Sequence, residues 1–137
     1  MTRRRPIGAE LIPGEGVHFR VWAPRRERVT LVVEGGPEVA LAPEAGGYFA
    51  GICATATAGT RYRFRLDGDA LLVPDPASRF QPDGPHGPSE VIDPRAFAWT
   101  DRAWRGVPDD QVVYELHVGT FTPEGTFAAA ARELPAL

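Results

Sequence analysis

Cysteine is almost missing from this sequence. Cys53 is the only one in 137 residues, so no disulfide can close within the chain. That suits a reducing compartment, and a cytoplasmic location is expected. Cys53 lies in a strand-like stretch, where its thiol reads as a buried, inert side chain rather than a nucleophile. The three histidines, His18, His86 and His117, are isolated in sequence. No metal-ligand spacing results, and no metal or cofactor is expected. A phosphate-cradling Gly-rich loop, a Walker pattern and a Gly-x-Ser-x-Gly elbow are all missing. No apolar run is long enough to span a bilayer, and no apolar segment follows Arg3-Arg4-Arg5 as in a secretory signal. The formal charge of −3 is too small to imply a polyanionic or polycationic partner, so neither nucleic acid nor membrane is expected. Arg3-Arg4-Arg5 itself reads as a solvated, frayed terminus, with contact to an acidic surface as the lesser alternative.

What is present is mainly β. Val17, Phe19 and Val21 alternate along one face of a strand that Ala23-Pro24 ends. Val29 to Val33 forms the next strand, and Glu34-Gly35-Gly36-Pro37 supplies turn chemistry. Short strands follow at Glu38 to Ala42 and Tyr48 to Cys53. From Thr60 to Leu66, Tyr62, Phe64 and Leu66 share one face, and Arg61, Arg63 and Arg65 share the other, read as solvated. Asp67-Gly68-Asp69 is a tight-turn signal that pairs this strand with Ala70 to Val73 as a hairpin. Six or seven short strands at regular spacing predict an immunoglobulin-like β-sandwich over residues 1–73.

Composition changes next. Seven of the fourteen prolines fall between Pro74 and Pro108, which forbids long regular elements. Phe80, Val91, Ile92, Phe97, Trp99 and Trp104 are interleaved with them. Residues 74–110 are therefore expected to be an ordered connector pinned down by its aromatics. From 111 to 137 the pattern is strand, loop, helix, the opening unit of a parallel α/β fold. Val112, Tyr114, Leu116 and Val118 would share one strand face, and Val113, Glu115 and His117 the other. Thr126 is a plausible N-cap for a helix from Phe127.

Little of this carries chemistry. Glu115 and His117 would point the same way on a strand and could be an acid/base pair. A satisfied polar pair is the favoured reading, because no nucleophile or metal set accompanies them. Trp22, Trp99 and Trp104 could stack on sugar rings, with packing of Trp99 and Trp104 against a neighbouring domain as the equal alternative. Trp22 ends a strand and reads as core.

Three stretches together resemble a known family. They are Gly16 to Pro24 with Val29 to Val32, then Asp75 to Ser89, then Tyr114 to Phe127. The first resembles the N-terminal sandwich of glycoside hydrolase family 13, an early-set domain related to the family 48 carbohydrate-binding modules. All three together resemble the trehalose-releasing members of that family. The resemblance implies a longer enzyme that hydrolyses the α-1,4 bond next to the terminal trehalose unit of a malto-oligosyl chain, in trehalose biosynthesis. Its partner would be malto-oligosaccharide or malto-oligosyltrehalose. Residues 111–137 would be the first strand and helix of its (β/α)8 barrel. A retaining glycosidase needs two carboxylates about 5–5.5 Å apart. In the family these lie on later barrel strands, so no catalytic residue is assigned here. Substrate contacts would come from the first barrel loop, through Thr120 and Phe121 with His117 more remote, and from Trp99 and Trp104. The chain reads as an inactive N-terminal fragment whose orphan strand could self-associate with another copy. A stand-alone glucan-binding or structural accessory module is the alternative.

Overall fold

The structure is a computed structural model that describes residues 3–137. The chain divides into two compact units between Ala98 and Trp99.

The first unit is mainly β, with nine strands among the described residues. They are β1 (Glu10–Ile12), β2 (Gly16–Trp22), β3 (Val29–Val33), β4 (Glu38–Ala40), β5 (Ala42–Glu44), β6 (Tyr48–Cys53), β7 (Arg61–Leu66), β8 (Leu72–Val73) and β9 (Ser89–Glu90). One antiparallel sheet has the order β1-β2-β6-β5. The other has the order β4-β3-β7-β8, with β9 also paired to β7. The alternation read from the sequence is the reason for this arrangement. Val17, Phe19 and Val21 of β2 are buried, as are Tyr62 and Phe64 of β7. They meet in one core, where the Phe19 and Tyr62 rings sit edge to face with centroids 4.7 Å apart. Fully burying each of these aromatics contributes about 1.5–3 kcal/mol.

Asp67 (φ 51°) and Gly68 (φ 85°) both take positive φ, which makes a tight turn at the start of the 67–71 connection between β7 and β8. The Asp69 amide closes it by donating to the Leu66 carbonyl at 2.9 Å. The expected single strand over Glu38 to Ala42 is in fact two. Leu41, nearly buried, carries the chain from one sheet to the other. Pro43, which has no N–H to donate, falls on the edge strand β5, where that is tolerated.

Four sequence expectations need correction. First, the Arg3 side chain is not frayed into solvent. Its guanidinium donates to the carbonyls of Arg5, Gly8 and His18 and reaches His18 Nδ1 at 2.7 Å. The carboxylate of Glu10 accepts from the Arg4 and Arg5 amides at 3.0–3.1 Å. Second, two of the three arginines on the outer face of β7 are ion-paired. Arg61 contacts Asp83 at 2.9 Å and Glu90 at 3.5 Å, and Arg65 pairs with Glu38.

Third, the proline-rich stretch is held mostly by polar groups, not by its aromatics. Asp75 is buried; its carboxylate accepts from the Tyr62 hydroxyl at 2.7 Å and from the Ala77 amide at 2.8 Å. The Asp75 amide donates to Ser89 Oγ at 3.0 Å. Val91 is buried and exchanges backbone bonds with Gly59 and Thr60. Phe80, Phe97, Trp99 and Trp104 are all exposed. The first compact unit runs on to Ala98.

Fourth, Val112 to His117 is not a strand. A strand is stable only when its amides and carbonyls are paired, and no ladder forms there among the described residues. Val112 and Val113 are almost fully exposed. The second unit instead has a short helical turn α1 (Val118–Phe121), helix α2 (Phe127–Glu133) and a 3-10 turn over Leu134–Ala136. Thr126 caps α2 as expected, its hydroxyl accepting from the Ala129 amide at 3.2 Å.

Candidate functional site

In the first unit the outward end of β2 carries an aromatic surface beside an open depression. Val17, Phe19 and Val21 point inward, so His18, Arg20 and Trp22 point outward. Trp22 is 55% exposed, which corrects its reading as a core residue. Its indole N–H donates to the Gly46 carbonyl at 3.0 Å and fixes the ring. Around it lies an open depression of about 540 Å³ lined by Trp22, Ala23, Pro24, Arg25, Arg26 and Leu66. A smaller hollow of about 270 Å³ shares Trp22, Ala23 and Leu66 and continues toward Val73, Pro74 and Pro76. Arg26 is steadied by Asp67 at 3.4 Å. Asp67 in turn accepts from the Glu27 and Arg28 amides at 2.8 and 2.9 Å. Those bonds, that of Arg28 foremost, hold the Asp67 carboxyl below its ordinary range. An immobilised aromatic face beside planar guanidinium donors is a surface that can receive a sugar ring. The alternation of β2 already carried this signal, because it puts Trp22 on the face opposite the core.

In the second unit three of the five expected sugar contacts come together. His117 precedes α1, and its carbonyl accepts from the Thr120 and Phe121 amides, each at 3.0 Å. The Thr120 hydroxyl lies 3.2 Å from both His117 Nδ1 and the His117 carbonyl. With its single proton given to the carbonyl, that hydroxyl accepts from Nδ1–H and leaves Nε2 free. His117 and Thr120 are exposed, and Phe121 is half-buried. Trp99 and Trp104 are 69% and 67% exposed and belong to the same unit.

The postulated Glu115–His117 pair has no hydrogen bond or ion pair among the described residues, because the strand that would align the two side chains is absent. His18, on the outer face of β2, is pushed below its ordinary pKa by burial and by the Arg3 charge. Arg3 can only donate, so His18 Nδ1 accepts and the ring is neutral. Cys53 is buried. Among the described residues no cluster of His, Cys, Asp and Glu could hold a metal ion. No helix among them is long and apolar enough to cross a membrane. The Thr120 hydroxyl beside the His117 ring gives its proton to the His117 carbonyl, so that imidazole does not activate it as a nucleophile.

Comparison with known proteins adds identity to this geometry. No protein-family model matches the chain. The chain is 45% identical over 136 residues to a malto-oligosyltrehalose trehalohydrolase of Deinococcus radiodurans, covering 98% of this chain and 22% of that protein. It is 41% identical over 132 residues to one from a Rhizobium species, covering 92% of this chain and 22% of that protein. Among solved structures, a protein of Salmonella typhimurium assigned to the α-amylases superposes with a TM-score of 0.78 at 43% identity. That match covers 98% of this chain and 23% of the solved one. The chain thus spans about a fifth of the length of the curated relatives it matches. In sequence, it corresponds to the N-terminal part of the malto-oligosyltrehalose trehalohydrolases.

Proposed function

We propose that this chain is the N-terminal part of an enzyme that hydrolyses the α-1,4 bond next to the terminal trehalose unit of malto-oligosyltrehalose and releases trehalose. The observation that carries this reading is the 45% identity across nearly the whole chain. The first unit would serve as an immunoglobulin-like early-set domain of the carbohydrate-binding-module kind. Residues 111–137 would supply the first strand and helix of a (β/α)8 barrel once neighbouring strands pair with Val112 to Val118. His117, Thr120 and Phe121 would then stand at the sugar-binding face. A retaining mechanism needs a carboxylate pair about 5–5.5 Å apart. No residue of this chain is proposed for that role, so the chain alone is expected to be inactive. A cytoplasmic location is proposed with it, on the lone reduced cysteine.

The test is a chimera in which residues 1–137 replace the matching part of the Deinococcus radiodurans relative. It should release trehalose from malto-oligosyltrehalose, and the isolated chain should not. A folded chimera without activity would overturn the reading.

The pinned, exposed indole of Trp22 favours a second reading, a module that holds an α-glucan chain by itself. Maltoheptaose binding to the isolated chain that is lost in Trp22→Ala would support it. Binding lost instead in Trp99→Ala or Trp104→Ala would move the platform to the second unit.

A further inference from the structure

The basic start of the chain and the Asp75 to Ser89 stretch come together in the first unit around one pocket. Its volume is about 360 Å³, within the usual range for small-molecule sites. Arg4, Arg5, Arg79 and Arg95 line it together with Glu10 and Asp93. Leu11, Ile92 and Pro94 give it an apolar wall.

The charges there do not balance. Both acids are already engaged. Glu10 is held by the Arg4 and Arg5 amides, and Asp93 binds the Arg95 guanidinium through both oxygens at 2.9 and 3.1 Å. Among the described residues no side-chain hydrogen bond or ion pair takes up the Arg4 or Arg5 guanidinium. Arg79 gives one N–H to the Ala9 carbonyl, yet its Nε is buried without any partner. Burial, and then the like charge of Arg5, lower the Arg79 pKa from its ordinary value. A buried guanidinium N–H with no acceptor is a cost that an oxyanion would remove. Planar N–H groups on several arginines suit the tetrahedral oxygens of phosphate.

We propose that the pocket formed by Arg4, Arg5 and Arg79 is an oxyanion site that takes a phosphate group, free or as a small phosphate ester. Arg79 presents its guanidinium from the Asp75 to Ser89 stretch, and Arg4 and Arg5 present theirs from the irregular chain start. The apolar wall of Leu11, Ile92 and Pro94 contacts the organic body of an ester. The site is separate from the sugar-binding reading above and does not depend on it.

The test is a titration of the full 137-residue chain, followed by amide NMR shifts and calorimetry. Inorganic phosphate and glucose 1-phosphate are the two probes. Ionic strength is held constant with chloride, because screening would otherwise imitate competition. Saturable shifts are expected at Leu11 and Ile92 with millimolar affinity. Arg5→Gln should weaken binding about tenfold, the usual effect of losing one charge-assisted bond. The Arg4→Gln/Arg5→Gln double variant should abolish it. Neither side chain makes a bond that holds the fold, so those variants report binding rather than folding. Arg79→Gln should act in the same direction, and Arg65→Gln, outside the pocket, should leave binding unchanged. Equal affinity for the two probes would show that phosphate alone is read, and tighter ester binding that the apolar wall takes part. No saturation up to about 50 mM phosphate would overturn the proposal. So would an Arg65→Gln loss as large as that of Arg5→Gln.

Discussion

Replacing Tyr62 with phenylalanine isolates the bond that ties the Asp75 to Ser89 stretch to the core. The Tyr62 hydroxyl donates to the Asp75 carboxylate at 2.7 Å, and both residues are buried, at 1% and 2% exposure. The substitution removes only the hydroxyl and keeps the edge-to-face contacts with Phe19 and Phe64. A hydrogen bond to a buried charge contributes about 1.5–3 kcal/mol, so a loss of about 2 kcal/mol is expected at pH 7. For a unit of this size that lowers Tm by roughly 10 °C. The loss should depend on pH in a defined direction. Burial pushes the Asp75 carboxyl above its ordinary value, and the Tyr62 bond pulls it partly back. A raised carboxyl favours folding most below the unfolded value, about 3.9, and this contribution fades as pH rises through the native value. Removing Tyr62's hydroxyl raises Asp75 further, so the variant suffers most where Asp75 must ionise. Denaturant unfolding at pH 7 and pH 3 should therefore give a cost of about 2 and about 1 kcal/mol respectively. A cost below about 0.5 kcal/mol at pH 7, or one equal at both pH values, would refute this account of the clasp. Asp75→Ala should cost more than Tyr62→Phe, because it strands both the Tyr62 hydroxyl and the Ala77 amide.

Gly16→Ala should destabilise by about 3 kcal/mol, since φ is +99° and a new Cβ would lie 2.5 Å from the Cys53 carbonyl. Gly35→Ala, at φ +66° with open space around it, should cost only about 1 kcal/mol in the same urea titration. His18 is held neutral in the folded state, so stability should fall as pH drops below about 6.5, where the unfolded ring gains its proton. Unfolding curves at pH 7 and 5 should show this slope, and His18→Gln should flatten it; an unchanged slope would remove His18 as its source. Limited proteolysis with mass readout should cut first within 112–117, where Val112 and Val113 are 90% and 81% exposed. Protection there equal to that of the sandwich strands in a monomer would contradict the orphan-strand argument.

Most of the sheet architecture was legible because it rests on period-two alternation and turn residues. Val17, Phe19 and Val21 point inward as read, and Asp67-Gly68 makes the hairpin as read. Expectations failed where a partner far along the chain decides the outcome. β1 and β9 are short and become strands only because β2 and β7 offer edges to pair with. Arg3 is held by the carbonyl and a ring nitrogen of His18, fifteen residues away, which no local pattern announces. Asp75 reads as a loop residue until the Tyr62 hydroxyl is placed against it. Val112 to His117 shows the reverse case. Its residues favour a strand, yet among the described residues nothing pairs with it to complete a ladder. His117, Thr120 and Phe121 come together because they are local in sequence, joined by backbone bonds to the His117 carbonyl. Trp22 was misplaced although its own strand's alternation pointed it outward.

The central claim is that these residues are the N-terminal part of a trehalose-releasing hydrolase. Trehalose release from malto-oligosyltrehalose by the Deinococcus radiodurans relative carrying residues 1–137 in place of its own matching part tests it most directly. The account predicts activity within about tenfold of the unmodified relative, a barrier change of no more than ~1.4 kcal/mol, with none from the isolated chain. A folded chimera that releases no trehalose, or an isolated chain that releases it catalytically, would contradict the account.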